Sequence, residues 1–496
     1  MTLNQDALPQ NKMAIKPIGK LMLGMGLPMI ISMVLQAFYN IVDTYFVSKM
    51  PDTASISGMG DYGVTALTLS FPIQMLMIAI GVGTGVGINA LLSKSLGQGN
   101  REKANRIAGN GIFLGLATYA LFLLVGIFAI KAYIGTQTKD AVVLAMGTEY
   151  LSICTILSFG AILSMVYEKL LQATGRTVLS TVAQLSGAVT NIILDPIMIF
   201  GYLGCPALGI QGAAYATVIG QLVTFVLTVI FHHTLNKDLN PDLKYIKPDK
   251  GIVKEIYRVG LPAIVMQALM SFMTYGVNII FVGISEAAVT AYGVYYKIQQ
   301  FVFFAAFGMN NAIIPIVAFN YGMQDKKRVK EGIKYGMLYT LAIMLIGLIV
   351  LQASAAALAG IFALSKDTVA LCVTALRVIT VGYLFAGANI AFQGIFQAFG
   401  KGVHSLIVSL IRLIVVTLPL AYLFTLSKNP QATVWWAFPI AELCALIAAI
   451  IFMKGITKEK IDNLELPIEI KKIKDDIGTD SGLPEANPVE AISEAE

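Results

Sequence analysis

Two acids in this chain stand where charge is costly. Asp195 lies in the stretch NIILDPIMIFG, Asn191 to Gly201, inside an apolar run from about Thr177 to Phe200, and Asp43 lies in YNIVDTYFV, Tyr39 to Val47. A carboxylate near the middle of a membrane-length helix costs about 2.5–3.5 kcal/mol on insertion scales, so such residues usually face a cavity and act there. Asn191 precedes Asp195 by one helical turn and shares its face. Pro196 has no N–H, so it leaves the carbonyl of Ile192 without its helix partner and favours a kink. A carboxylate, an amide, a hydroxyl and a freed carbonyl form an all-oxygen set suited to a hard cation, while desolvation beside a second carboxylate suits proton exchange. Either ion would serve for coupling. The competing reading is a pair of structural acids that hold a helix bundle together.

The elements that must position these acids follow from composition. The 496 residues are 56% hydrophobic and only 13% charged, with a mean hydropathy of +0.74, which excludes a soluble globular chain. A spanning helix needs roughly 20 apolar residues. The hydrophobic runs predict twelve spans, at 21–48, 64–92, 106–130, 143–166, 177–200, 209–231, 256–283, 288–318, 333–354, 368–391, 402–426 and 433–453. Residues Met1 to Lys20 are polar and run straight into a full-length span, so no cleavable signal is expected. With the N-terminus inside, only five of the 35 Lys and Arg residues fall in outer loops (Lys49, Lys131, Lys139, Lys366, Lys428) and three lie deep within spans (Lys297, Arg377, Arg412). That bias predicts a multi-pass protein of the cell (inner or plasma) membrane with both termini cytoplasmic. It also accounts for the net charge of +6 without nucleic acid.

Counting about 1.5 Å per residue from the inner side, Asp43 and Asp195 reach similar depth. Thr217 of the sixth span falls in the same layer, and Asn40 and Tyr39 lie within about a turn of Asp43. The first six spans thus hold Asp43, Glu168 and Asp195 with no base expected at depth, Glu149 being set aside at the outer mouth of the fourth span. Glu168, near the inner end of that span, is either a proton relay or an interfacial acid paired with Lys169 or Arg176. The last six reverse the balance, with Lys297, Arg377, Arg412 and one acid, Glu442; Arg412 and Glu442 read as a structural salt bridge on consecutive antiparallel spans. The Tyr- and Gln-rich segment YGVYYKIQQ, Tyr292 to Gln300, is expected to line an amphipathic cavity.

An internal repeat organises the chain. Gly-Leu-Pro opens both Gly26–Pro28 and Gly260–Pro262, and with a one-residue gap Asp43 falls opposite Asn278. Four further blocks repeat 225 residues apart, among them LLQATGRTVLS (Leu170–Ser180) with IFQAFGKGVHS (Ile395–Ser405). Six spans per repeat is even, so both halves enter the membrane alike and relate by an axis along its normal. The expected organisation is a tail at 1–16, a first lobe at 17–235, a linker at 236–252, a second lobe at 253–455 and a tail at 456–496. Eleven acids between Lys458 and Glu496 mark that last segment as solvated and disordered. The four cysteines are scattered, which predicts neither disulfide framework nor metal site, and His232, His233 and His404 read as interfacial structural residues.

Together, the Gly-Leu-Pro opening, YNIVDTYFV, QATGRT, NIILDPIMIFG, GIQGAAYATVIGQ (Gly209–Gln221) and the six-plus-six duplication resemble the multidrug and toxic compound extrusion (MATE) family, over about Ile18 to Ile456. The resemblance implies an all-α membrane protein of twelve helices in two lobes arranged as a V. It also implies export of organic cations or amphipathic compounds against inward proton or sodium flow. In the branch resembling DNA-damage-inducible members, it places the ion site at Asp43, Asn191, Asp195 and Thr217, with Asn40 beside them. Where archaeal members carry an asparagine late in the fourth span, this chain has Glu168, as bacterial multidrug members do.

The expected function is a monomeric secondary antiporter working by alternating access, with no cofactor beyond the coupling proton or sodium. Its substrate cavity would be formed by Gln36, Tyr39, Gln74, Asn278, Tyr292, Tyr296, Lys297, Gln299 and Asn310. A lipid-linked saccharide flippase is the alternative, with Lys297, Arg377 and Arg412 as candidate pyrophosphate ligands. No nucleophile–base constellation and no nucleotide-binding loop supports an enzyme.

Overall fold

Apolar runs of this length can satisfy their backbone polar groups in a bilayer only as helices or closed barrels. In the computed structural model, which describes residues 11–52, 57–240, 242–360 and 365–465, every regular element is helical. The first half comprises a short α1 (Lys12–Ile15), α2 (Ile18–Ser48), α3 (Met59–Gly97), α4 (Arg101–Phe128), a short α5 (Ile130–Gln137), α6 (Ala141–Ile156), α7 (Phe159–Ala173), α8 (Thr177–Phe200) and α9 (Ile210–Leu235). The second comprises α10 (Lys250–Val282), α11 (Glu286–Gly322), α12 (Lys326–Gly360), α13 (Lys366–Thr380), α14 (Tyr383–Ala398), α15 (Gly402–Leu410), α16 (Thr417–Thr425), α17 (Pro430–Thr433) and α18 (Ala437–Ile456). Among the described residues these give twelve candidate spans, provided that α6 with α7 and α13 with α14, bent by 45° and 54°, each count as one.

The duplication recurs as structural landmarks. α3 and α11 end, α4 and α12 start, α7 and α14 end, and α8 and α15 start 225 residues apart. Gly175 and Gly400 hold equivalent left-handed turns at φ 85° and 74°. Several spans outrun their expected bounds: α3 and α11 add whole turns at the end bearing both termini, and the fourth span runs on to Ala173. Pro196 lies within one continuous helix, and breaks with bends above 40° fall in the fourth and tenth spans.

The described parts of both tails are helical. Of the segment 1–16, the described part carries α1, tied down by Arg328, whose guanidinium donates to the Met13 and Lys16 carbonyls at 2.8 Å each. Beyond Ile456 the helix continues through a π-type turn, Thr457–Ile461, where Lys401 pairs with Glu459 at 2.8 Å. Residues 1–10 and 466–496, with most of the acidic tail, lie outside the described residues. The linker packs closely on α4: the Asn240 and Asp249 amides each donate at 2.8 Å to Asn105 and Asn110, and Arg106 pairs with Asp249.

Apolar packing divides unevenly along the bundle. At the far end each half has its own core, around Val47, Ala66, Tyr150 and Ile199 in the first and around Phe281, Tyr292 and Trp435 in the second. At the terminal end the cores merge, because Met22, Met25 and Met29 of α2 pack with Met309, Ile313 and Phe396, and Val86 and Ala90 with Val259 and Ile314. The two halves therefore share apolar cores at the terminal end and keep separate ones at the far end. The seam depends on residues without side chains: a Cβ at Gly322 would run into the Lys94 carbonyl, and one at Gly87 into the Ile256 carbonyl. Overpacking costs about 1–3 kcal/mol. Gly322→Val should therefore lower the thermal unfolding temperature of the purified protein, whereas Gly24→Ala, with open space around it, should not; equal melting of the two variants would contradict this seam.

Candidate functional site

Close approach of α8 and α9 sets the polar residues around Asp195. Gly187 and Gly220 face each other across this contact, and a Cβ at Gly220 would sit 2.7 Å from the Gly187 carbonyl oxygen and 3.0 Å from Asn191 Cβ. That contact sets Asn191 between two partners: its amide lies 3.2 Å from Asp195 Oδ1 and 3.4 Å from Thr217 Oγ1. Asp195 is 0% exposed and Asn191 3%. Asp43, on the outer half of α2, lies within electrostatic range of Asp195. Three buried oxygens in this group, Asp43 Oδ1, Asn191 Oδ1 and Asp195 Oδ2, have no hydrogen-bond donor among the described residues.

No Lys or Arg forms an ion pair with Asp43 or Asp195 among the described residues. The geometry can therefore accept a proton or a small cation, with oxygen ligands from α2, α8 and α9. Tyr39 also faces both aspartates. The side chain of Asn40 lies outside the described set. Sequence reasoning missed Tyr150 and Cys154, one turn apart on α6, which face Asp43 from the other side; Gln74 donates to the Tyr150 hydroxyl at 3.4 Å. Their spacing of four on one helix was the available signal.

Glu168 is separate from this group and buried in α7, where Gln184 of α8 faces its carboxylate. The absence of a base at depth does not hold. Lys169 is 6% exposed, and its ammonium donates to Gln172 at 2.8 Å and, across to the second half, to Asn311 at 3.3 Å. Its stem occupies the space left by Gly85, where a Cβ would lie 2.6 Å from Lys169 Cγ. The repeat inverts this pairing: at the equivalent positions Asn310 is the large residue and Gly394 the small one. Neither cation proposed for Glu168 forms an ion pair with it among the described residues, and Arg176 turns to Asp238 at 3.2 Å.

In the second half, Asn310 is packed against Gly394 and Tyr292 is 1% exposed inside an aromatic core with Phe281, Trp435 and Phe438. Both were expected to line a cavity. On α11, Gly293 and Lys297 turn outward while Tyr292, Tyr295 and Ile298 turn into the core. Lys297 is exposed, Tyr296, Gln36, Gln74 and Asn278 are half-buried, and Gln299, also half-buried, accepts from the Tyr295 hydroxyl at 2.6 Å. The basic residues considered for pyrophosphate do not converge: Lys297 and Arg377 are exposed on α11 and α13, and Arg412 is engaged by Glu442.

The Arg412 guanidinium donates through Nε to Glu442 at 2.9 Å, and Asn389 donates to the other carboxylate oxygen at 2.8 Å. Losing one member of a buried pair costs about 3–5 kcal/mol, and replacing both by apolar groups restores much of it. Arg412→Leu should destabilise the purified protein strongly, and Arg412→Leu with Glu442→Leu should recover most of the loss in thermal melts. A double variant no better than the single would rule out a merely structural pair.

The MatE family model matches residues 28–197 and 262–423, one block in each half. Curated relatives include the multidrug export protein MepA of Staphylococcus aureus, 26% identical over 453 residues that cover 91% of this chain and 97% of that protein. MepA of Staphylococcus saprophyticus is 27% identical over 445 residues, covering 90% and 96%. Among solved structures, an outward-facing multidrug resistance MATE family transporter of the MOP superfamily superposes with TM-score 0.84 at 22% identity, covering 92% of this chain and 99% of that one. A MATE protein in its straight conformation superposes with TM-score 0.83 at 23% identity, covering 90% and 98%.

Proposed function

We propose a coupling mechanism for this chain, which belongs to the MatE family of multidrug transporters: it exports organic cations or other amphipathic compounds in exchange for protons or sodium, by alternating access. The observation that carries the reading is the proximity of Asp43 and Asp195, with Asn191 and Thr217, in a layer where three buried oxygens lack a donor among the described residues. Two carboxylates cannot both stay ionised at low dielectric without a counter-charge. A proton or a sodium ion supplies it, and the oxygen-only set suits either.

Neutralising the pair removes the repulsion between α2 and α8 and changes which packing of α2 is favoured. A ligand shifts such an equilibrium only by its differential affinity for the two states. The ion would therefore bind more tightly in the state that has released the drug. The drug would sit between the lobes, against Gln36, Tyr39, Gln74, Asn278, Tyr296, Lys297 and Gln299, with Tyr292 and Asn310 serving the packing of the second lobe. Glu168 and Lys169 would act on the terminal side of that cavity. The charge bias of the loops supports a cytoplasmic terminal end in the cell membrane, where the chain would work as a monomer.

The experiment is fluorescent organic-cation uptake into everted vesicles, which corresponds to export from the cell, under separately imposed proton and sodium gradients. Wild type should export on one gradient, and Asp43→Asn and Asp195→Asn should each reduce export to background while still inserting at normal levels. Export by both variants at the wild-type rate would sink the coupling role.

A further inference from the structure

A second feature lies at the terminal end, away from the carboxylates. Between α1, the start of α8 and the end of α9 is a groove of about 530 Å³, lined by Lys12, Arg176, Val178, Leu179, Leu235 and Lys237. Three of these are cations. Only Arg176 has a carboxylate partner among the described residues, Asp238 at 3.2 Å, so the groove carries surplus positive charge. Partial burial, helped by crowding from Lys16 and Arg176, pushes the pKa of the Lys12 ammonium down to about 8. An anion seated there would relieve that cost.

The remaining wall is aliphatic and continues into the bilayer-facing surface. Val178 and Leu235 are 50% and 45% exposed, and Val178 begins an exposed stripe with Val182, Leu185 and Val189 down one face of α8. Spacings of four, three and four keep that stripe on a single side of the helix. A soluble phosphate would use the cations and leave the stripe unexplained; a molecule with a phosphate head and acyl chains uses both.

We propose that this groove binds an anionic phospholipid, its headgroup phosphate between Lys12, Arg176 and Lys237 and its chains along Val178, Val182 and Leu185. The site also carries a mechanical role. α1 is joined to the start of the linker through Asn11, whose amide donates to Asp238 at 3.3 Å, and to the second half through Arg328, which donates to the Met13 and Lys16 carbonyls. A headgroup held by Lys12 fixes this strap, so the lipid braces the two halves closed at the terminal end.

The test uses the purified full-length protein, with thermal unfolding followed during titration with phosphatidylglycerol, phosphatidylcholine or inorganic phosphate. Three proteins are compared: wild type, Lys12→Gln with Lys237→Gln, and a charge-matched control, Lys139→Gln with Lys428→Gln, at the far end. Phosphatidylglycerol should stabilise wild type and control alike, while its half-maximal concentration rises about thirtyfold in Lys12→Gln/Lys237→Gln, as loss of two near-surface cations implies. Phosphatidylcholine and inorganic phosphate should leave all three unchanged. Equal responses of the two double variants would overturn the proposal in favour of diffuse charge. Protection by inorganic phosphate at matched concentration would overturn it in favour of a soluble-anion site.

Discussion

A carboxylate taken out of water must be paired, protonated or given an ion, and the architecture is organised around that constraint. In the second half Glu442 meets it permanently, through Arg412 and Asn389. In the first half Asp43 and Asp195 share a layer with each other, an amide and a hydroxyl, and no fixed cation pairs with either among the described residues. One half of a duplicated fold thus has its buried charge settled within the protein. Under the proposed coupling, the other would leave it to a mobile ion.

The seam between the halves suits the same purpose. Its contacts at the terminal end are methionines, small aliphatics and bare backbone at Gly87 and Gly322, so they can part without stranding ionised pairs in a dry interface. Lys169 crosses it with a single hydrogen bond to Asn311. The ion pair Lys103 with Glu255 lies partly exposed, where such pairs are worth about 0–1 kcal/mol. Asp195 sits beyond this seam, in the half of the bundle where the two cores have separated.

Much of this was legible beforehand, for identifiable reasons. Span count depends on apolar length, which composition records directly, and the duplication was visible because turn residues such as Gly175 and Gly400 repeat with their backbone conformation. Asn191, Asp195 and Thr217 were legible because one turn of helix and one short loop determine their meeting. The bends after Ile156 and Thr380 were not, since hydropathy does not register direction. Nor was the depth of Lys169: its burial requires Gly85 on another helix, and a lysine beside QATGRT otherwise reads as interfacial. The segment Tyr292–Gln300 was polar enough to suggest a cavity, yet rotation about α11 sends Tyr292 and Tyr295 inward and only part of it toward open space.

The central claim is that the ion and the drug are linked through Asp43 and Asp195, and equilibrium binding tests it without transport. Affinity for a fluorescent organic cation would be measured on the purified protein in nanodiscs across pH and sodium concentration. The account predicts that wild-type affinity falls as the coupling ion is added, and that this dependence disappears in Asp195→Asn. An Asp195→Asn protein whose drug affinity still falls with the ion as steeply as wild type would contradict it.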